Sequence, residues 1–388
     1  LLQFSSSLKD FVTINREKHK MENRTFMERF EAKVLILAQY VEYKVSHYLD
    51  KSFETLFGFV SVLPGAFCTF RWEAINGDPL KSFFKGLDNE HHTAKEANMY
   101  LAEDRVMCLE ILRKYSKDWL LRYIPGSIAL TDPPDTIIQL VKQRRRWTNG
   151  SLFASWYVID NINMITRSNH SCLRQFGLML LYLYMLLNFV FSMILVGMFY
   201  ATYSLFVRAY FDEECDEIGF TRVLEVLYLA LLGAFTLMAI TKPIETSRAP
   251  YTFMVIMFGI FFIIAFLFAF PYFIEKAQTS IFGAIGAATF VLTYLFPPLF
   301  NWNKLSLVKY VVGSVIIFFL SPMYVNIILI YSMANLHDVS WGNRDSGGGA
   351  KENTQMSLEQ FRAISLMVWL TLSYIIRFNI YLVVQLNY

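Results

Sequence analysis

The chain has 388 residues, of which 55% are hydrophobic and 17% aromatic, and its mean hydropathy is +0.37, whereas a soluble domain is usually about 45–50% apolar. A net charge of +3 is too small to direct the chain to nucleic acid. Cys68, Cys108, Cys172 and Cys215 are scattered, with no CxxC pair and no metal-ligand spacing, which points to reduced thiols rather than a disulfide frame or a zinc site. The chain opens at Leu1 without Met and without a secretory signal, and is expected to be a piece of a longer protein.

The apolar excess is unevenly spread. Residues 1–38 are charged and read as an exposed helical segment or linker, and 34–50 carry apolar groups at helical spacing. Residues 114–134 alternate short apolar runs with turns, the pattern of strands. A helix is predicted over 135–147, opened by Pro133-Pro134-Asp135, since an acidic side chain at a helix start favours the dipole. Residues 39–175 thus read as an α/β domain. From Phe176 onward long apolar runs dominate. A bilayer core needs roughly 20 apolar residues per helix, and hydropathy gives six stretches of that kind, 177–206, 223–240, 251–274, 281–299, 309–334 and 361–384. Pro297-Pro298 is expected to interrupt the fourth after Phe296, the form of a re-entrant segment.

Residues 142–174 are basic (Lys142, Arg144, Arg145, Arg146, Arg167, Arg174), and the loop at 208–222 is acidic. The excess of positive charge on cytoplasmic loops therefore places residues 1–175 in the cytoplasm and the acidic loop outside. The Asn-x-Ser/Thr patterns at Asn23, Asn149 and Asn169 would then be chance matches to a glycosylation site.

Three patterns in the polar half carry chemistry: Val62-Leu63-Pro64-Gly65, Glu103-Asp104-Arg105, and Gln143-Arg144-Arg145-Arg146-Trp147. Taken singly, an Asp-Arg pair is a structural salt bridge, a triple Arg before a span is a lipid-headgroup anchor, and a Trp beside it belongs to the interfacial belt. In combination they match inverting sugar transfer. The acceptor hydroxyl needs a carboxylate as general base, the leaving diphosphate needs cations, and sugar rings need flat aromatic surfaces. Asp104, Arg146 and Trp147 supply these three. A polar polymer crosses hydrocarbon only along a protein-lined path. Trp302, Tyr294, Tyr324, Asn188 and Asn326 are candidates to line it, with helix–helix hydrogen bonding an equal explanation for the two amides.

The blocks VLPGAF, NMYLAEDR, QRRRWTNGS and NLHDVSWGNRD (335–345) together resemble chitin synthases, within the family 2 processive glycosyltransferases. The resemblance implies a partial GT-A glycosyltransferase domain (39–175) followed by an α-helical transmembrane bundle of about six helices (176–388). It implies transfer of N-acetylglucosamine from UDP-GlcNAc to a nascent β-1,4-linked chitin chain at the plasma membrane. Asp104 would be the catalytic base, supported by Glu103 and Arg105. Gln143, Arg146 and Trp147 would border the donor diphosphate and acceptor sugar, and Val62, Leu63, Pro64 and Gly65 would gate the channel. Trp341 and Arg344, in the loop at 335–360, would dock near the channel or donor site. Partners would be the lipid bilayer and, by analogy, a second copy in a homodimer.

The sequence departs from the family in two ways. Asn343-Arg344 stands where many fungal sequences have Thr-Lys, which fits an oomycete or other non-fungal lineage. No Asp-x-Asp occurs, so ligands for the expected divalent cation (Mn²⁺ or Mg²⁺) would lie in a donor-binding half outside these residues, with none in this chain. A hyaluronan or cellulose synthase would share EDR and QRRRW but lack VLPGAF and HDVSWG. A transporter or scaffold would leave the grouped motifs unexplained, and a catalytically incomplete subunit stays open. The 388 residues alone are predicted not to turn over UDP-GlcNAc; release of UDP by the isolated polypeptide would refute this.

Overall fold

The computed structural model of the chain describes residues 24–63, 67–85, 94–127, 132–211, 218–242, 244–300 and 306–339. Helix α1 (Phe26–Val45) opens on a capping box. The Thr25 hydroxyl accepts from the Glu28 N–H at 3.3 Å, and the Glu28 carboxylate accepts from the Thr25 N–H at 3.0 Å. Two backbone donors that a helix start leaves without partners are thereby paired. The chain continues through a π-helical turn, Ser46–Asp50, into α2 (Lys51–Leu56). The apolar pattern at 34–50 is therefore the central part of a longer helical stretch.

Four shorter elements follow: α3 (Trp72–Ile75), α4 (Asp78–Phe84), α5 (Ala94–Tyr100) and α6 (Glu103–Leu112). Then comes the long helix α7 (Ile137–Asp160). It starts at Ile137 rather than Asp135, and it continues past Trp147. The Thr136 hydroxyl caps it by accepting from Gln139 N–H at 3.4 Å. Asp135 is drawn off into an ion pair with Arg24 at 2.7 Å. The Glu31 carboxylate of α1 accepts from the Ile137 N–H at 2.8 Å, putting negative charge at the positive end of the helix dipole.

No strand occurs among the described residues. Where strands were expected after Lys114, the chain makes isolated backbone bonds instead. Leu121 N–H donates to Gly58 O at 2.9 Å, and Asn169 N–H donates to Lys117 O at 2.8 Å. A strand requires a continuous ladder, so the apolar pattern here serves only to bury Leu121 in the core.

Helix α6 is buried from Val106 to Leu112, Glu110 included. Burying a carboxylate without partners is prohibitive, and Glu110 has them. Arg113 Nε donates to its Oε2 at 2.8 Å, and the Tyr157 hydroxyl of α7 donates to its Oε1 at 2.5 Å. Arg113 Nη1 also donates to Asn161 Oδ1 at 3.0 Å. This network fixes α6 against the far end of α7.

The apolar half begins with α8 (Cys172–Phe211), α9 (Ile218–Thr241) and α10 (Arg248–Thr279). Within them Cys172–Arg208, Gly219–Thr241 and Arg248–Pro271 are long and apolar enough to cross a membrane. Next come α11 (Ile281–Phe300), α12 (Leu307–Phe319), a second π-helical turn (Met323–Ile328) and α13 (Leu329–Ala334). The α12 segment and Met323–Ala334 meet at 57° and make a fourth crossing if taken as one broken span. Pro322 sits at the break, where it has no N–H to continue the ladder. The stretch 281–299 is helix α11, and it runs through Pro297 and Pro298 without a break. The last expected span (361–384), the acidic residues 212–217 and Trp302 lie outside the described residues.

Two polar groups in the spans find partners across helices, as an apolar medium favours. Arg208 meets Glu225 through Nε at 2.7 Å and Nη2 at 2.8 Å. Asn326 donates to the Tyr228 hydroxyl at 2.6 Å, so helix–helix bonding accounts for this amide.

Helix α1 ties the two halves together. Gln39 Nε2 donates to Pro134 O at 2.7 Å, ahead of α7. Arg248, at the start of α10, pairs with Glu31 at 3.0 Å. Against α12 the approach is at backbone level, since a Cβ placed on Gly313 would lie 2.6 Å from Leu37 O.

Glu110→Ala would leave the Arg113 guanidinium buried without its carboxylate. It is expected to cost about 3–5 kcal/mol, read as a large fall in the melting temperature of the detergent-solubilised protein. An unchanged melting temperature would contradict this account of α6.

Candidate active site

A cleft of about 3280 Å³ runs between the two halves. Its walls come from α1, both π-helical turns, α2, the segments 60–63 and 67–71, α6, residues 118–127, α7 and α8. Glu103, Asp104, Arg105, Arg146 and Trp147 line it, and so do Tyr184, Asn188, Ser192 and Tyr324 from the apolar half. Two of the proposed path residues, Asn188 and Tyr324, thus face the same cavity as the motif residues. Tyr294 is not among the lining residues.

Asp104 stands in the first turn of α6. Its Oδ1 accepts from the Arg105 N–H at 2.9 Å. Burial pushes its carboxyl above the ordinary carboxylate range, and the positive charges of Arg105 and Arg146 oppose that shift. The result is a more basic carboxylate than an exposed Asp, in a cleft wide enough for sugars.

The register of α6 against α7 depends on a glycine. A Cβ on Gly150 would lie 2.7 Å from the Cβ of Ala102, the residue before Glu103, closer than side-chain carbons pack. Gly150, in the stretch TNGS, lets α7 approach the start of α6 and brings Arg146 toward Asp104.

The three arginines of α7 have separate partners. Arg144 makes a bidentate pair with Glu42 of α1, at 2.5 and 2.9 Å. Arg145, 1% exposed, is paired with Asp338. Arg146 alone acts electrostatically on Asp104. Gln143 does not line the cleft; its Oε1 is buried without a hydrogen-bond partner among the described residues.

Around Asp338 the chain is held by side-chain amides. Asn98 donates to Leu336 O at 2.7 Å, Asn149 to Ser332 O at 3.1 Å, and Asn335 to Ala239 O at 3.1 Å. Asn149, one of the three glycosylation-like asparagines, is therefore a buried structural amide.

Val62 and Leu63 line the cleft; Pro64, Gly65, Trp341 and Arg344 lie outside the described residues. The segment before Pro64 is gripped by α2. Lys51 Nζ donates to Val62 O at 2.7 Å, and Glu54 Oε2 accepts from Ser61 N–H at 2.9 Å. Sequence reasoning passed over Lys51, Glu54, Glu42 and Asp338. The available signal was charge inside otherwise apolar runs, where a charged side chain has a partner. Among the described residues no group of three or more His, Cys, Asp or Glu side chains sits together as a metal site.

Residues 19–162 match the family model of the chitin synthase-like glycosyltransferase domain. The chain is 35% identical over 357 residues to chitin synthase 2 of Mycosarcoma maydis, an alignment that covers 82% of this chain and 32% of that protein. It is 34% identical over 347 residues to chitin synthase C of Aspergillus oryzae, covering 80% and 36%. It is 35% identical over 351 residues to chitin synthase 3 of Verticillium dahliae, covering 80% and 38%. The chain spans about a third of the length of the curated relatives it matches. With Glu103, Asp104, Arg105, Arg146 and Trp147 on one cleft and alignment to these proteins over about 80% of its length, the chain belongs to the chitin synthase family of glycosyltransferases.

Proposed function

We propose that this chain is the acceptor-side and membrane part of a chitin synthase, which transfers N-acetylglucosamine from UDP-GlcNAc to the growing β-1,4-linked chain with inversion and passes the polymer through the bilayer. The observation that carries this reading is the shared cleft, with Asp104, Arg146 and Trp147 in its walls along with Asn188, Ser192 and Tyr324. A product made at Asp104 would meet the polar and aromatic side chains of Tyr184, Asn188, Ser192 and Tyr324 in the same cavity.

In this reading Asp104 takes the proton from the acceptor O4 as that oxygen attacks the anomeric carbon and the bond to UDP breaks. Glu103 and Arg105 support its position and charge. Arg146 meets the leaving diphosphate as a planar, bidentate donor. Trp147 offers a flat face to the acceptor sugar. Gln143 would border the donor site only if a bound nucleotide met its buried amide. Val62 to Gly65 would gate the entry to the path, and Trp341 with Arg344 would dock nearby.

The domain division at 38 and 175, the α/β character and the count of six spans belong to this proposal, as do the cytoplasmic placement of the catalytic half, the plasma membrane, the lipid contacts and a homodimer. A divalent cation, Mn²⁺ or Mg²⁺, belongs to it with ligands from outside these residues. The described residues hold no group of three or more His, Cys, Asp or Glu side chains that could bind one.

Expression of the full protein in membranes with labelled UDP-GlcNAc and Mn²⁺ is expected to yield insoluble, chitinase-sensitive polymer. Asp104→Asn should reduce the rate about 10²–10⁴-fold, the usual contribution of a general base. Chitinase-resistant product would favour another family 2 synthase, and equal product from both proteins would remove Asp104 as the base.

Since the base acts ionised and burial raises its pKa, kcat/KM should fall on acidification through a pH above about 4, the ordinary Asp value. An acid limb at or below that value would contradict the buried-base reading. Gly150→Ala should lower kcat by displacing the start of α6, and wild-type turnover would remove the close approach from the mechanism.

A further inference from the structure

The carboxylate of Glu42 collects contacts from two separate elements. Arg144 of α7 holds both of its oxygens, at 2.5 and 2.9 Å. The Tyr324 hydroxyl, from the second π-helical turn in the apolar half, donates to its Oε2 at 3.2 Å. The same guanidinium lies over the Trp147 ring, 4.3 Å from its centroid. Tyr43, beside Glu42 on α1, meets Trp147 edge-on with centroids 6.3 Å apart. Glu42, Tyr43, Arg144, Trp147 and Tyr324 all line the cleft.

The direction of control follows from the chemistry. A tryptophan on a cavity wall turns about two torsions unless something holds its face. A guanidinium holds it only if its own plane is fixed, and a bidentate carboxylate fixes that plane. Arg144 is 7% exposed, so without Glu42 it would carry an unpaired buried charge and would repack. The proximity of Tyr324 adds a second consequence: the group that fixes Trp147 is also bonded to the wall of the apolar half.

We propose that Glu42 is a positioning residue for the acceptor sugar, fixing the Trp147 platform through Arg144 and holding it in register with the membrane path through Tyr324. This rests on the reading of Trp147 as the acceptor platform. A misplaced platform loses the acceptor between additions, while the donor nucleotide binds as before.

The test uses the full protein carrying Glu42→Gln, Arg144→Lys or Tyr324→Phe. Lys keeps the charge but lacks the planar fork that stacks, so Arg144→Lys should behave like Glu42→Gln. Both are expected to leave KM for UDP-GlcNAc within about twofold of wild type and to cut insoluble polymer about tenfold, the scale on which misplaced reacting groups cost rate. Short soluble oligosaccharides should accumulate. Tyr324→Phe should shorten the product more mildly. Wild-type chain length in Glu42→Gln, or a loss that appears only in KM for UDP-GlcNAc, would overturn the proposal.

A second readout does not depend on turnover. Melting temperatures of Glu42→Gln, Trp147→Ala and the double variant should shift non-additively, since the two residues act through Arg144. Additive shifts would overturn the proposal even if the wild type makes chitin. Absence of chitin from the wild type would defeat the proposed function and leave this cycle to decide the positioning role. If Glu42→Gln does not accumulate, the cycle is run with Tyr324→Phe, and non-additivity is again the expected result.

Discussion

Arg145 is 1% exposed on α7, and its guanidinium is paired with Asp338. One residue earlier, Arg144 is held by both oxygens of Glu42. Loss of either carboxylate would leave a nearly buried guanidinium without its partner, so the two pairs fix the rotation of α7 about its axis. With Arg144 and Arg145 committed to structural carboxylates, Arg146 is the arginine left toward Asp104. The placement of Arg146 and Trp147 on the cleft wall follows from that rotation, and so does the junction with the apolar half, since Asp338 lies just beyond α13 and Glu42 is also bonded to Tyr324.

The same constraint explains which parts of the architecture were legible in the sequence. Three of the expected spans, and a fourth if α12 and Met323–Ala334 are taken as one, stand out because a bilayer-length apolar run has few alternatives. The site motifs were legible because Asp104, Arg146 and Trp147 lie within one short stretch of chain and are brought to one cavity by two neighbouring helices, α6 and α7. The partners of Arg144 and Arg145 were not, because Glu42 and Asp338 lie about 100 and 190 positions away in sequence.

Other differences have equally specific causes. The strands expected after Lys114 fail for want of ladder partners, since a period-2 apolar pattern buries Leu121 as well in an irregular segment as in a sheet. Helix α7 starts at Ile137 rather than Asp135 because Asp135 is diverted to Arg24 and the capping is divided between Thr136 and the distant Glu31. Pro297 and Pro298 sit in the last turn of α11, where only a few residues of helix remain for a proline to disturb. The real break is at Pro322, between α12 and the second π-helical turn.

The central claim is that one cavity joins the transfer chemistry to the membrane path. The measurement that tests it most directly is a structure of the full protein caught with its nascent chain. The account predicts sugar density with the terminal acceptor hydroxyl at Asp104, a ring on Trp147, and the chain continuing past Asn188 and Tyr324. Density that leaves Asp104 by another route, or a chain that bypasses Asn188 and Tyr324, would contradict it.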